Sequence, residues 1–413
     1  MAVAILDPLL RGLNDHHWSH IEACASYCTD VLEVYPILYL PDDASFAPEG
    51  RYDTRRVMRR PQASAYNEYP FEEYLEYLIW YEKNLQPSLR PLLANLGPDD
   101  DLVIPNSTLP LLYSILRSLN GIKGLRSIRL YNTQTLLPSE PGLGVQLIRA
   151  LIDRICFGGG IQKVLVALPH QQHTMIAQSY WPFWGDTRGH LWSYCKPIMF
   201  HPLSPEIVHF DNNGAPEKRF DIVFFGHVNP EKNDFAGLSN LLDQGLTLSI
   251  CVPRTSLSPS VAALIERMRT ARASDALDVM VYDSLSSLDF IRLASRGRFS
   301  YLVSSGNYYS SKGGYSNRVL EALVSASPAI ASPDSFEHIP FFDSQADAIL
   351  EADSQKLQDP SYCERLATII RNDHEAFHRR ALSRQVFWRK SVTDFVFERT
   401  FLSDLQDASS ALP

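Results

Sequence analysis

The sequence has little cysteine, no long apolar run and no surplus of positive charge. Its six cysteines (Cys24, Cys28, Cys156, Cys195, Cys251 and Cys363) are scattered over 413 residues, far from the density of a disulfide-stapled scaffold. Cys24 and Cys28 have helical i, i+4 spacing, yet no downstream Cys or His pair completes a zinc set; free, mostly buried thiols of a reducing cytosol are expected. No window reaches the ~18 uninterrupted apolar residues of a membrane-spanning helix. The opening MAVAILDPLL reads as a first strand and not as a basic leader with a cleavage site. A cytoplasmic protein with at most peripheral membrane contact is expected. Lys and Arg number 38 against 47 Asp and Glu, a formal charge of −9, whereas binding to nucleic-acid phosphates needs clustered cations; nucleic acid is not expected as a partner. No D-x-D triplet closes a strand, since DDD at 99–101 precedes one and reads as a turn, and no metal site is expected.

What is present is a steady alternation. Short apolar runs (VAILD at 3–7, VLEVYPILYL at 31–40, DLVIPN at 101–106, SIRLYN at 127–132, KVLVALP at 163–169) are separated by helical stretches such as HHWSHIEACASY and LPLLYSILRSL. Continuous apolar strands spaced by helices imply a parallel sheet covered on both faces. Residues 202–219, rich in Pro, Asn, Gly and charge, interrupt the rhythm, which restarts with FDIVFFG (220–226), LTLSICV (246–252), LDVMVYD (277–283) and RFSYLVS (298–304). The length favours more than one domain. The expected division is a first domain at 1–202, a linker at 203–219, a second domain at 220–360 and helices at 361–413 that strap the two together. Within the first domain, 41–96 reads as an insertion. It contains a basic, Pro-containing loop and an aromatic helix whose Tyr74, Tyr77, Trp80 and Tyr81 serve either packing or stacking on sugar rings.

Ligands of open α/β sheets bind beyond the carboxyl ends of the strands, so strand-end residues are the candidates. In the second half these are Gly226, where a backbone can approach a ligand, then His227 and Lys232, and Tyr282 and the Ser305–Gly306 pair at two other strand ends. The stretch GGYSNRVLEALVSASPAIAS at 313–332 starts a helix at Ser316 or Asn317, with free N–H groups and a positive dipole end able to receive an anion. Arg318 stands in the first turn, where a cation opposes the dipole unless an anion arrives, and Glu321 one turn later is suited to a ribose diol. In the first half, Asp15, His16 and His17 follow the first strand. A His there suits a general base at neutral pH; otherwise Asp15 caps the next helix and the histidines pack. His170 and His173 are weaker candidates of the same kind.

FFGHVNPEKN followed by SNRVLEALVSASPAIAS resembles the donor domain of GT-B glycosyltransferases. In the retaining, sucrose-synthase-like group the pattern is G-R-x-x-x-x-K-G, then E-x7-E within F-G-x-x-x-x-E-A-x-A-x-G-x-P-V-x-A. Gly226, Lys232, Glu321, Ala322, Pro328 and Ala331 match it; His227, Gly313 and Ala326 stand where that group has Arg, Glu and Gly. SNRVLEAL with IPFFD at 339–343 is also similar to the inverting, exostosin-like group. The resemblance implies two Rossmann-like, doubly wound domains facing a central cleft. The second domain would hold a nucleoside diphosphate sugar, a UDP-sugar foremost, with Lys232 and Arg318 on the diphosphate and no metal or other cofactor. The acceptor would be a saccharide or glycolipid hydroxyl, with Asp15, His16 and His17 as catalytic candidates. A nucleotide-sugar epimerase of the same fold and a saccharide-binding member without turnover are the alternatives.

Overall fold

The computed structural model describes residues 2–10, 16–44, 51–59, 71–107, 109–119, 124–132, 161–168, 192–197, 203–210, 219–226, 228, 233–254, 257, 259–270, 276–283, 285–306, 308–309, 315–394 and 402. The chain divides into two compact units, the first formed by 1–204 and 393–413 and the second by 205–392.

The first unit contains β1 (Val3–Leu6), α1 (His16–Asp30), β2 (Ile37–Pro41), β3 (Asp53–Met58), α2 (Phe71–Ala94), β4 (Asp101–Ser107), α3 (Leu109–Leu119), β5 (Leu125–Asn132), β6 (Ile161–Leu168) and β7 (Trp192–Pro197). The strands form one parallel sheet in the order β3-β2-β1-β4-β5-β6-β7. Both faces of β1 are covered, since Val3, Ala4, Ile5 and Leu6 are all buried, which is why four apolar residues in a row form a strand there. The sheet reverses its winding between β1 and β4, so the loops after these two strands diverge and leave a crevice at their carboxyl ends.

Two expectations need correction here. Residues 41–96 are no insertion. DTRRVM pairs in parallel with β2 as the edge strand β3, and the aromatic helix α2 follows as a regular crossover. The reading failed because an edge strand carries charge on its open side, and Asp53, Arg55 and Arg56 hide the strand pattern. The run at 31–40 is a strand only from Ile37. Before it the chain wraps the end of α1, with Glu33 at φ 56 and the N–H groups of Val31 and Val34 donating to the carbonyls of Tyr27 and Cys28. On α2, Tyr81 is buried in the core and Trp80 is 40% exposed.

The second unit opens with the short helix α4 (Pro205–Val208), within the stretch read as a linker. It continues with β8 (Phe220–Phe225), α5 (Phe235–Leu242), β9 (Leu248–Pro253), α6 (Pro259–Thr270), β10 (Leu277–Tyr282), α7 (Ser287–Ala294), β11 (Gly297–Leu302), α8 (Asn317–Val324), β12 (Ala329–Ala331), β13 (Ile349–Glu351), α9 (Pro360–Asn372) and α10 (His374–Thr393). All six strands are parallel, in the order β10-β9-β8-β11-β12-β13, the doubly wound arrangement again, with its reversal between β8 and β11. Helix α8 buries Val319, Leu320, Leu323 and Val324, the i, i+1, i+4, i+5 face that makes it helical. Its exit passes through Ala326 at φ 54, a left-handed position where glycine is the unstrained choice. Trp388 of α10 is fully buried and donates to Asp347 at 2.7 Å, fastening α10 to the loop before β13. Phe395 and Phe401, read as the same apolar face as Trp388, lie outside the described residues. Among the described residues no helix is long and apolar enough to cross a membrane.

Cys24, Cys28, Cys251 and Cys363 are free and buried. Burial pushes the Cys28 thiol up to about 12 and the Cys251 thiol up to about 11. A thiol raised by folding ionises first in the unfolded chain, so its contribution is complete below the ordinary cysteine range and is lost as pH rises toward the folded value. The buried tyrosines Tyr282 and Tyr301 are raised in the same direction. The melting temperature should therefore be level up to about pH 8.5 and fall steadily above it; a melting temperature that rises between about pH 9 and 10.5 would contradict this packing.

Candidate functional site

In the second unit the residues gather at the reversal point of the sheet. Strand β8 is followed at once by Gly226, whose φ is 109. That backbone suits only glycine, and there is no room for more. An added Cβ would meet the guanidinium of Arg318, lying 2.5 Å from Cζ, 2.8 Å from Nη1 and against Nη2. Arg318 reaches there from the first turn of α8. Its Nη1 donates to the Phe225 carbonyl at 2.9 Å, and its guanidinium lies over the Phe225 ring (4.8 Å) and the Phe290 ring (5.5 Å). Phe290 of α7 stacks on Phe225 and meets the Tyr282 ring edge-on at 5.2 Å. Among the described residues no carboxylate pairs with Arg318. A half-buried cation is thus held by a carbonyl and two π faces, and its charge is left for another anion.

Tyr282 completes this group. Its hydroxyl is buried without a hydrogen-bond partner among the described residues. Burial drives its pKa upward, and the Arg318 charge opposes the shift.

The start of α8 is also open. Ser316, the N-cap residue, makes no side-chain cap, and its hydroxyl accepts from the Tyr309 hydroxyl at 3.2 Å. The N–H groups of Asn317 and Arg318 meet no acceptor among the described residues. Below them a buried polar cluster fixes the strand ends. Asp334 accepts from the Ser332 hydroxyl at 2.7 Å, from the Ser304 hydroxyl and from the Tyr309 N–H at 3.1 Å. Ser335 accepts through its carbonyl from the Ser316 N–H at 2.8 Å. Asn233 bridges to Ser304, so the loop after β8 is tied to the end of β11.

Gly226, Tyr282 and Arg318, named from sequence, are brought together, with Ser316 and Asn317 beside Arg318 at the start of α8. Glu321 is half-buried one turn further along the same helix. Ser305 follows the Asp334 cluster, and Gly306, exposed at φ 55, has nothing within 4 Å of an added Cβ. His227 and Lys232 lie outside the described residues. Sequence reasoning missed Phe290 and Asp334; an Asp set among serines, SPDS at 332–335 after β12, was the available signal for the latter.

The first unit has a polar centre at its own reversal point. Asp7, fully buried at the end of β1, lies 2.8 Å from His17 Nδ1 through Oδ2. Its Oδ1 accepts from the Leu9 N–H at 2.9 Å. Asn106, at the end of β4, donates from Nδ2 to Asp7 Oδ2 at 2.6 Å, and its Oδ1 lies 2.5 Å from His20 Nδ1. His16 opens α1; Asp15, His170 and His173 lie outside the described residues. Asp7 was overlooked although it closes the first apolar strand, the position that marked Gly226. Among the described residues no three His, Cys, Asp or Glu side chains form a metal-ligand group.

No family model matches the sequence, and no curated protein matches it. Solved structures do match. The apo structure of OtsA aligns over 100% of both chains with a TM-score of 0.60 at 10% identity. WaaG, a glycosyltransferase involved in lipopolysaccharide biosynthesis, aligns over 95% of this chain and 99% of its own, TM-score 0.53 at 11% identity. AviGT4, a glycosyltransferase involved in avilamycin A biosynthesis, gives 96%, 97%, 0.50 and 12% in the same order. The fold is GT-B. At such identities the likeness is one of architecture, and in this GT-B chain the chemistry has to be read from its own side chains.

The Asp334 cluster carries a direct test. Asp334→Ala removes the acceptor shared by the Ser304 and Ser332 hydroxyls, which keep each other and Ser335 as partners, and leaves the Tyr309 N–H without its acceptor, at a cost of about 2 kcal/mol. Chemical denaturation should show that loss, and hydrogen exchange should show faster exchange at Tyr309 and Ser316. Unchanged exchange at both would mean that the cluster does not hold the start of α8.

Proposed function

We propose that the protein is a glycosyltransferase that moves a sugar from a nucleoside diphosphate donor, a UDP-sugar foremost, to a hydroxyl of a saccharide or glycolipid. The observation that carries this reading is the Arg318 guanidinium at the end of β8, which no carboxylate neutralises among the described residues, beside the start of α8 where Ser316 makes no side-chain cap. When the glycosidic bond of the donor breaks, its electrons stay on the diphosphate oxygen. Fixed cations and N–H groups aimed at that oxygen lower the barrier because they need no reorganisation, and the guanidinium fork binds phosphate in two-pronged fashion. Arg318, the N–H groups of α8 and Lys232 take the place of a metal ion in this reading. Gly226, His227, Ser305, Gly306, Ser316 and Asn317 line the donor site, Glu321 accepts from the ribose diol and Tyr282 donates to the donor. The neighbours named as glycosyltransferases support the general class.

In the first unit His17 is the proton acceptor. With Nδ1 on Asp7, exchange falls to Nε2, which takes the acceptor hydroxyl's proton as the new C–O bond forms. Asp7 holds the ring and offsets the charge of the imidazolium. Asp15 and His16 remain neighbours of this base in the proposed acceptor site. Membrane contact, if the acceptor is a glycolipid, would be peripheral.

A thermal-shift series with UDP, GDP, ADP, CMP and dTDP tests the donor half. The cognate nucleotide at about 100 times its Kd should add about 2.7 kcal/mol of stability. Arg318→Ala should remove that shift while its ligand-free melting temperature stays within a few degrees of wild type. His17→Ala should keep the shift and lose about 10²- to 10⁴-fold in turnover. A changed sugar released from donor alone would mark an epimerase. No shift with any nucleotide, or an equal shift in Arg318→Ala, would overturn the donor assignment.

A further inference from the structure

Strand β4 lies between β1 and β5 in the middle of the first sheet, yet it contains Pro105. A central strand seldom tolerates proline, because proline cannot donate to the ladder; where it occurs it marks a bulge. The register of β4 against β5 runs evenly from Asp101 to Ile104 and then shifts before Ser107, so the irregularity falls on Pro105 and Asn106. Bulges re-aim side chains. Here the side chain concerned is Asn106, fully buried, whose Nδ2 donates both to Asp7 Oδ2 at 2.6 Å and to the His17 carbonyl at 3.2 Å.

The orientation of that amide is fixed by Asp7, whose carboxylate can only accept, so that Nδ2 faces it and Oδ1 faces His20. Asn106 Oδ1 can only accept, so His20 Nδ1 must carry the proton across their 2.5 Å contact. The His20 ring is buried and meets Tyr131 edge-on at 5.6 Å, which restrains its rotation. An amide passes on orientation without passing a proton. Asp7 therefore sets the Asn106 amide, the amide sets the His20 tautomer, and the Nδ2–H bond holds Asp7 Oδ2 where it receives His17 Nδ1.

We infer that Asn106, turned inward by the Pro105 bulge and held at its Oδ1 by His20, is a positioning residue that keeps Asp7 Oδ2 on His17 Nδ1 and so maintains the Nδ1–H tautomer of His17. The inference deepens the reading of His17 as the proton acceptor and rests on it for its consequence in catalysis. The titratable groups that bond or stack within this cluster, among the described residues, are Asp7, His17, His20 and Tyr131.

The test is ¹⁵N NMR of histidine-labelled protein, with His17 assigned by its loss in His17→Gln. Wild type should show His17 protonated at Nδ1 at neutral pH. In Asn106→Ala, His17 should show a mixed tautomer pattern, and turnover should fall about tenfold or more at unchanged KM for the donor. His20→Phe, which keeps the ring contact to Tyr131 and removes the donor to Asn106, should move the His17 signals the same way. It serves as the second variant should Asn106→Ala fail to fold. A His17 pattern identical to wild type in a folded Asn106→Ala or His20→Phe protein would overturn the inference. A changed pattern with unchanged turnover would uphold the positioning role and overturn the reading of His17 as base.

Discussion

The account depends on one constraint: the guanidinium of Arg318 occupies the space that any side chain at residue 226 would need. Strand β8 must end in glycine so that the cation can lie against the strand's last carbonyl, and α8 must start where it does so that Arg318 can reach. A charge so placed, with no carboxylate beside it among the described residues, is costly to the folded protein unless something negative completes it. It also opposes the dipole of its own helix. Local conflicts of this kind mark places where a fold has been shaped around a ligand rather than around itself.

The two sheets solve the same topological problem with different chemistry. Each reverses its winding beside its first strand and so opens a crevice at the carboxyl ends. In the second unit that end carries cation and N–H groups, with Asp334 buried beneath as a fastening for the loop. In the first unit it carries a carboxylate shared by a histidine and an amide. In the proposed reaction the second unit's end receives negative charge and the first unit's end accepts a proton, the two needs of a group transfer that expels a diphosphate.

The alternation of apolar strands and helices was legible because the inner strands, covered on both faces, must be continuously apolar. The edge strand β3 was not, since three of its six residues are Asp or Arg and are exposed. The three-residue β13 was too short to show a pattern. Among site residues, Gly226 and Arg318 showed themselves through local signals, a strand-end glycine and a cation in a helix's first turn. The link between Asp7 and Asn106 spans 99 positions, and no local spacing encodes it. Only the adjacency of β1 and β4 brings the two side chains together. Ala326 shows a different limit: its identity was visible, whereas its left-handed backbone was not.

The measurement that bears most directly on the central claim is a crystal structure of the protein soaked with the nucleoside diphosphate that stabilises it most. The account predicts phosphate oxygens bonded to the Arg318 guanidinium and to the N–H groups of Asn317 and Arg318, with the nucleotide beyond the end of β8. A diphosphate bound elsewhere, with Arg318 still resting on the Phe225 carbonyl and touching no phosphate, would contradict it.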